Sequence, residues 1–355
     1  MSSCLSQIEG CDKSNFTICE TTLPQNYHSQ LNNIPSGANR NSFHAAFKKN
    51  LLWPDNSTIK IAFLPSDVLK LCYCLPEDQT KFQKSNPGVS LVPILNRENS
   101  DPLALEYSRK WLQANGQEKL NVQKQAVKAV LNRYKGLMTL KFDFVEDSRN
   151  ADIRILFKAD NASWAFIGTA NKSAKGEHGE QVHFGWFDIA TIIHELGHAL
   201  GMIHEHQNPI GGVTIDWDKR KVYKYFRCSQ GWSDEMINNN ILNPEDETTL
   251  NGSCFDPLSI MLYEYPACLT KNGVGTRFNQ RLSAFDTYWL HKNYGGSTVH
   301  SLPSGVYRSI TETPENWYNS IYGKGKYEAS IKLSIELRNQ FSGDKKGSDC
   351  DDPNY

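Results

Sequence analysis

Residues 194–206 read His-Glu-Leu-Gly-His-Ala-Leu-Gly-Met-Ile-His-Glu-His, a segment that holds three candidate metal ligands, His194, His198 and His204. On a helix of about 3.6 residues per turn, His194 and His198 lie on one face one turn apart, so both can bind a single ion. Two histidines at this spacing with a glutamate between them are typical of zinc hydrolases. The spacing predicts a helix that carries a metal site.

The third histidine cannot reach the same ion from a continuous helix. His204 would lie about 9 Å farther along the axis than His198, at about 1.5 Å of rise per residue. Gly201 lies between them, and glycine readily takes the left-handed conformation that ends a helix and turns the chain. We therefore expect the helix to end near Gly201, and His204 to return as the third zinc ligand.

Three neutral imidazoles leave one position of a tetrahedral zinc ion open for water, which is typical of catalytic sites and not of structural ones. Glu195 directly follows the first histidine and points toward the open side of the metal, so we expect it to act as general base on that water. These residues predict one catalytic Zn²⁺ and a hydrolase.

Composition limits the class of protein and its partners. The 355 residues are 39% hydrophobic and 11% aromatic, enough for one large or two ordinary domains with a real core. The formal net charge is -1, from 38 basic and 39 acidic residues, so we expect no nucleic-acid partner. No stretch is long and apolar enough to span a bilayer.

The cellular location stays open on the sequence alone. Nine cysteines, none in a Cys-x-x-Cys pair, and five Asn-x-Ser/Thr sites favour an extracellular protein. The odd number of cysteines leaves at least one thiol unpaired within a monomer. The first ten residues have no basic region and no apolar run, so no signal peptide is visible.

Shifts in composition divide the chain into three parts. Residues 1–45 are polar and lack periodicity, which indicates an N-terminal extension or pro-segment. Residues 46–295 form the predicted catalytic domain, with an insertion at about 68–118. Residues 296–355 are interpreted as a C-terminal extension and tail.

Hydrophobic periodicity predicts the elements of the catalytic domain. A period-2 run at Ile331, Leu333, Ile335 and Leu337 also suggests an added strand in the C-terminal extension. The predicted strands are 57–64, 137–145, 151–157 and 181–186; the predicted helices are 104–112, 121–134, 218–226, 233–241 and 283–293, with Asp218, Ser233 and Ser283 as N-caps and Gly295 as a terminator.

The sequence resembles the astacin family of zinc endopeptidases, within the metzincin clan. The resemblance rests on His-Glu-x-x-His-x-x-Gly-x-x-His-Glu at 194–205, in which Glu205 marks astacins within the clan, and on Ser-Ile-Met-Leu-Tyr at 259–263, which resembles the Met-turn and the tyrosine that follows it. Supporting similarity lies at 53–58, 151–155, 163–169 and 184–186, and in all the resemblance covers roughly 46–66 and 119–295.

The resemblance implies an α+β, zincin-like catalytic domain. Its upper part would hold a mixed twisted sheet and the long active-site helix, and its lower subdomain would be irregular and mostly helical. By the same resemblance, Met261 would form a packed floor beneath the histidines, and Glu205 would be structural. Tyr263 would ligate zinc at rest and swing to stabilise the tetrahedral oxyanion, although a buried tyrosine with a satisfied hydroxyl is an alternative.

The sequence departs from the family pattern at three points. Leu262 replaces the usual histidine of the Met-turn, a change that we expect to be tolerated because this side chain is not a zinc ligand in the family. The Phe-x-Gly-Asp motif of astacin pro-segments is absent, and the cysteines do not reproduce the family's disulfides. Cys4, Cys11 or Cys19 could instead donate a thiolate to the open zinc position, although ordinary disulfide or free cysteines are the favoured interpretation.

Partners follow from this interpretation. We expect a monomer that binds a peptide or protein substrate as an extended strand, added antiparallel to an edge strand at 181–186. His206 and His183 could lie next to the metal or be ordinary surface groups.

The predicted function is a zinc-dependent metalloendopeptidase in which Glu195 acts as general base. Two alternatives stay open. One is another zinc hydrolase, such as an amidase, on the same scaffold. The other is a catalytically weak, zinc-stabilised peptide-binding protein. An intact Glu195 argues against the second, because binding alone needs no base.

Overall fold

The computed structural model describes residues 45–72, 100–160, 162–173, 175–295 and 312–342. The predictions for most of 1–45 and for the tail after 342 lie outside these residues. The strands are β1 (Ala45–Lys48), β2 (Thr58–Phe63), β3 (Lys141–Phe144), β4 (Ile153–Phe157), β5 (Trp164–Ala165), β6 (Val182–Phe184) and β7 (Leu250–Asn251). The α-helices are α1 (Pro102–Gln113), α2 (Gln117–Arg133), α3 (Ile189–Ala199), α4 (Lys219–Gln230), α5 (Asp234–Ile237), α6 (Ala284–Tyr294), α7 (Pro314–Tyr322) and α8 (Lys326–Ser342).

A five-stranded mixed sheet forms the upper part of the domain, in the order β3-β2-β4-β6-β5. The pairs β2 with β3, β2 with β4, and β4 with β6 are parallel, and only β5 runs antiparallel. Parallel neighbours need crossover connections, and α2 supplies the one between β2 and β3. The predicted α+β class is confirmed.

The sheet order corrects the prediction of a substrate-binding edge at 181–186. Strand β6 pairs with β4 on one side and with β5 on the other, so both of its edges are occupied. The antiparallel edge strand is β5, which has a strand partner on one side only among the described strands. The sequence could not show this, because sheet order depends on pairings between distant segments.

Most of the predicted helices and strands are confirmed, with ends that shift by a few residues. Ser283 and Asp286 form the expected capping box at the start of α6, and Asp218 and Ser233 cap α4 and α5. The predicted strand at 331–337 is wrong, because this segment lies within helix α8. Here α8 packs against α6 and α7.

Two apolar clusters lie on either side of residues 259–263, the segment that reads Ser-Ile-Met-Leu-Tyr. The larger one joins the sheet to α1, α2, α3 and α6, and it includes Ile260 and Met261. The smaller one lies in the lower, helical part and includes Leu262, with Tyr263 packed against it. The chain therefore passes from one core to the other within this short stretch, so its position is fixed from both sides. Leu262, which replaces the family's histidine, is an ordinary buried core residue.

The cysteines of the described residues divide into bonded and free. Cys228, Cys254 and Cys268 form disulfide bonds. Cys72 is a free thiol, in line with the expectation that one cysteine stays unpaired, and burial raises its pKa to about 12. A thiol with so high a pKa is unreactive at neutral pH.

Candidate zinc site

Helix α3 carries the first two histidines and is buried along its whole length. Its start is fixed by Asp188, whose carboxylate accepts a hydrogen bond from the backbone N–H of Thr191 at 2.9 Å. A Cβ on Gly197 would lie 2.8 Å from the Met261 sulfur, so glycine lets this turn of the helix pack on Met261 without displacing its side chain. Met261 is completely buried. The side chain thus lies where the sequence predicted a packed floor.

The chain leaves α3 through the predicted glycine turn. The helix ends at Ala199, and Gly201 has a φ of 102°. The N–H of Met202 then donates back to the carbonyl of Gly197 at 3.0 Å, which closes the turn. The indole of Trp53 donates to the carbonyl of Ala199 at 2.8 Å and fixes the end of the helix from outside. His204 is thereby brought back beside His198.

Two backbone carbonyls orient the histidines of α3. The Nδ1 atom of His194 lies 2.8 Å from the carbonyl oxygen of Ile260, and the Nδ1 atom of His198 lies 2.8 Å from that of Met202. A carbonyl only accepts, so each Nδ1 carries the proton and each neutral ring presents its Nε2 lone pair. This is the tautomer that binds a metal through Nε2.

The ligand atoms of His194, His198 and His204 lie within 4.8 Å of one another, and all three side chains are buried. The Nε2 atoms of His198 and His204 face each other at 3.0 Å. The Nε2 atom of His194 has no hydrogen-bond partner in the part of the chain that the structure describes. A buried polar atom without a partner is costly, and a shared cation would satisfy all three nitrogens at once.

Burial keeps these imidazoles neutral. It lowers the pKa of His194 to about 4 and, together with the nearby His194, that of His198 to about 3. Burial, with the nearby His198, also places the pKa of His204 well below its ordinary value. Neutral imidazoles are the metal-binding form, so this donor set fits zinc.

Glu195 is buried beside the triad, and its Oε2 atom has no hydrogen-bond partner among the described residues. Burial raises the pKa of this carboxyl well above its ordinary value. A carboxyl group with a raised pKa can take up a proton at neutral pH and release it again.

Tyr263 packs against two of the three histidines, His194 and His204. Its ring stacks on His194, with centroids 5.3 Å apart, and lies 4.5 Å from the ring of His204. Its hydroxyl makes a short hydrogen bond with Nε2 of His204. The structure therefore brings Tyr263 into the same group as the three histidines and Glu195.

Two further histidines have different surroundings. His206 is buried, stacks on His204 with centroids 5.3 Å apart, and contacts the carbonyl of Asn240 through Nε2 at 2.8 Å. His183 lies outside the triad, between Glu180 and Asp160 at 3.3 and 3.0 Å. The sequence could not decide whether either histidine lies next to the metal, because a histidine's neighbours depend on tertiary packing.

Glu205 has structural contacts, as the sequence predicted. Its Oε1 atom accepts hydrogen bonds from the Asn208 side-chain amide at 2.9 Å and from the backbone N–H of Asp256 at 2.8 Å. Its own backbone N–H donates to the carbonyl of Met261 at 3.0 Å. Glu205 therefore ties the segment after the third histidine to the segment that contains Met261.

One family model and several solved structures match this chain. Residues 110–282 match the model of the peptidase family described as Astacin. No curated protein matches the chain. A solved structure of myroilysin is 27% identical, with a TM-score of 0.48, and the match covers 71% of this chain and 98% of that one. High choriolytic enzyme 1, a hatching enzyme zinc-protease from Oryzias latipes (Medaka fish), is 14% identical, with a TM-score of 0.37, and the match covers 71% of this chain and 96% of that one.

The segment 110–282, which contains every residue of the candidate site, belongs to the astacin family. The protein is a zinc metalloendopeptidase whose cofactor is one catalytic Zn²⁺ and whose substrates are peptides or proteins. The predictions of family, enzyme class and metal are confirmed. Among the described residues, no helix is long and apolar enough to cross a membrane.

The lowered pKa values of the histidines predict how zinc binding depends on pH. Protons compete for an imidazole only near its pKa, so zinc affinity should change little from about pH 7 to about pH 5 and should fall steeply near pH 4. Titration with a competing chelator measures the affinity, and circular dichroism at each pH checks that the chain stays folded. Three ordinary imidazoles would lose on the order of ten-thousandfold in affinity between about pH 7 and pH 5, and a loss of that size would contradict the account.

Proposed function

We propose that this chain hydrolyses internal peptide bonds with His194, His198 and His204 as the zinc ligands and Glu195 as the general base. One observation carries the proposal: the Nε2 atom of His194 and the Oε2 atom of Glu195 are buried on consecutive residues of α3, and both lack partners among the described residues. A ligand set and a base held ready in this way fit metal-assisted hydrolysis.

When bound by these three histidines, a zinc ion would lower the pKa of a bound water toward about 7 and would polarise the scissile carbonyl. Glu195 then accepts the water proton and later transfers it to the leaving amine. Burial raises the pKa of this carboxyl, which favours its uptake of the water proton.

Tyr263 has the position and the chemistry to stabilise the developing negative charge. Its phenol is a hydrogen-bond donor in contact with Nε2 of His204, one of the proposed ligand atoms. We propose that this hydroxyl, which lies against a ligand atom, would ligate the zinc at rest and would move to donate to the oxyanion when substrate binds. In this role Tyr263 would affect the rate of the chemical step and not the affinity for substrate.

Substitution of the proposed base tests the mechanism against a peptide-binding role. Glu195→Gln should retain one zinc per chain and lose at least about a thousandfold of kcat, because the variant keeps the ligands but cannot accept a proton. Tyr263→Phe should lose kcat by about 100-fold with little change in KM, as for removal of one oxyanion donor. Zinc content is measured by atomic absorption, and turnover is measured on a mixed peptide library. Wild-type turnover in Glu195→Gln would eliminate the proposed base, and a wild-type chain that binds zinc and peptides without cleaving them would favour the binding role.

We propose that the substrate adds as an antiparallel strand to β5. This strand is the antiparallel edge of the sheet, it lies against α3, and its Trp164 is held in place by stacking on His183 with centroids 5.4 Å apart. Main-chain hydrogen bonds at such an edge are available to most peptide sequences, and side-chain pockets add selectivity.

N-methylation of a cleaved peptide tests this binding mode. Because an antiparallel strand donates to its neighbour from alternate residues and β5 is two residues long, kcat/KM should fall by about 3- to 10-fold at the one methylated position opposite β5 and stay near the parent value at the positions on either side. The series should be run with the full chain and with a chain that lacks residues 1–45, since this segment is proposed to be a removable pro-segment. Equal losses at consecutive positions, or no losses, would contradict strand addition.

A further inference from the structure

Helix α8 lies outside the segment that matches the family model, yet it directs polar groups into the catalytic domain. Ser334 is completely buried, and its hydroxyl donates to Oδ1 of Asp256 at 2.5 Å. Arg338, on the next turn, is also buried and donates from Nε to the carbonyl of Phe255 at 2.6 Å. Burial of a hydroxyl and a guanidinium is costly without such partners, so these contacts fix α8 against residues 255 and 256.

Asp256 also contacts the start of α6, so it links α6 to α8. Its second carboxylate oxygen accepts a hydrogen bond from the hydroxyl of Ser283 at 2.5 Å. Ser283 is the N-cap of α6, and its hydroxyl also accepts from the backbone N–H of Asp286 at 2.9 Å. Asp256 therefore connects α8 to the capping box of α6.

Asp286 completes the path to the zinc site. Its carboxylate accepts from the backbone N–H of Ile260 at 2.9 Å and from the hydroxyl of Ser259 at 2.7 Å. The carbonyl of the same Ile260 is the partner of Nδ1 of His194. Every side chain in this path is buried: Ser334, Asp256, Ser283, Asp286 and Ser259.

We propose that Ser334 of helix α8 is a positioning residue for zinc binding, acting through Asp256, Ser283 and Asp286 on the Ile260 carbonyl that orients His194. The proposal rests on the zinc ligands proposed above. It makes α8 part of the catalytic unit, although the resemblance to the family ends before it.

The Ser334 hydroxyl matters because it donates to one of two neighbouring buried carboxylates. Asp256 and Asp286 are buried near each other, and burial together with the nearby Asp256 raises the pKa of Asp286. The Ser334 hydroxyl supplies Asp256 with one of its donors, which also include the backbone N–H of Leu258 and the hydroxyl of Ser283. Without the Ser334 hydroxyl, Oδ1 of Asp256 keeps only the Leu258 N–H as a donor among the described residues, and a change in the position of this carboxylate moves Ser283 and the loop at 259–261.

Ser330 provides a matched control on the same helix. It is buried one turn before Ser334 and accepts a hydrogen bond from the backbone N–H of Ala284 at 3.1 Å, also at the start of α6. Ser330→Ala removes a buried hydroxyl from the same interface but leaves the Ser334 to Asp256 contact in place. It therefore reports the effect of losing a buried hydroxyl and its hydrogen bond at this interface while the contact of Ser334 with Asp256 stays intact.

The test compares Ser334→Ala, Ser330→Ala and the wild-type full chain. The zinc dissociation constant should rise about 10-fold in Ser334→Ala, the lower end of the loss seen when partners that support a metal ligand are removed. In the same variant the visible spectrum of the Co²⁺-substituted protein should change, and kcat should fall while KM does not. Ser330→Ala should show lower thermal stability with the wild-type zinc affinity and Co²⁺ spectrum.

The outcomes separate positioning from packing. Wild-type zinc affinity and Co²⁺ spectrum in a folded Ser334→Ala protein would overturn the proposal. Should this variant fail to fold, Ser334→Cys, which keeps the volume and a weaker donor, carries the same comparison. Metal affinity and the Co²⁺ spectrum do not depend on turnover, so failure of Glu195 as general base would leave this test intact. Failure of the proposed ligand set would show separately, as unchanged zinc binding in His194→Ala.

Discussion

The mutual approach of three buried, neutral imidazoles is the constraint on which the rest of the site depends. His198 and His204 face each other at 3.0 Å, and His194 presents a buried Nε2 atom without a partner among the described residues. Without a cation this arrangement leaves lone pairs unsatisfied in a dry environment. With a zinc ion, the same three nitrogens become ligands, and the cost of burying them is offset by coordination.

The surroundings of the triad keep it in this geometry. Gly197 allows close packing of α3 on Met261, and the left-handed Gly201 returns the chain so that His204 lies beside His198. The carbonyls of Ile260 and Met202 then select the tautomer of the two helical histidines. Because the segment 259–263 passes between two apolar cores, packing in either core contributes to the position of Tyr263 and of the carbonyl that holds His194.

The sequence predicted those parts of the site that depend on local geometry. Helical spacing and one glycine were enough for His194, His198, Gly201 and His204. The carbonyl partners carried no signal, because every residue has a carbonyl. The strand predicted at 331–337 failed for a physical reason: the buried positions of α8 are 330, 334, 337, 338 and 341, a helical spacing, but three of them are Ser or Arg, so alternating Ile and Leu dominated the pattern.

X-ray absorption spectroscopy at the zinc edge counts the imidazoles that bind the metal. We expect one zinc per chain with three imidazole nitrogens at about 2.0–2.1 Å, and two imidazoles in His204→Ala. A zinc ion bound by fewer than three imidazoles in the wild-type chain, or an unchanged spectrum in His204→Ala, would contradict this expectation.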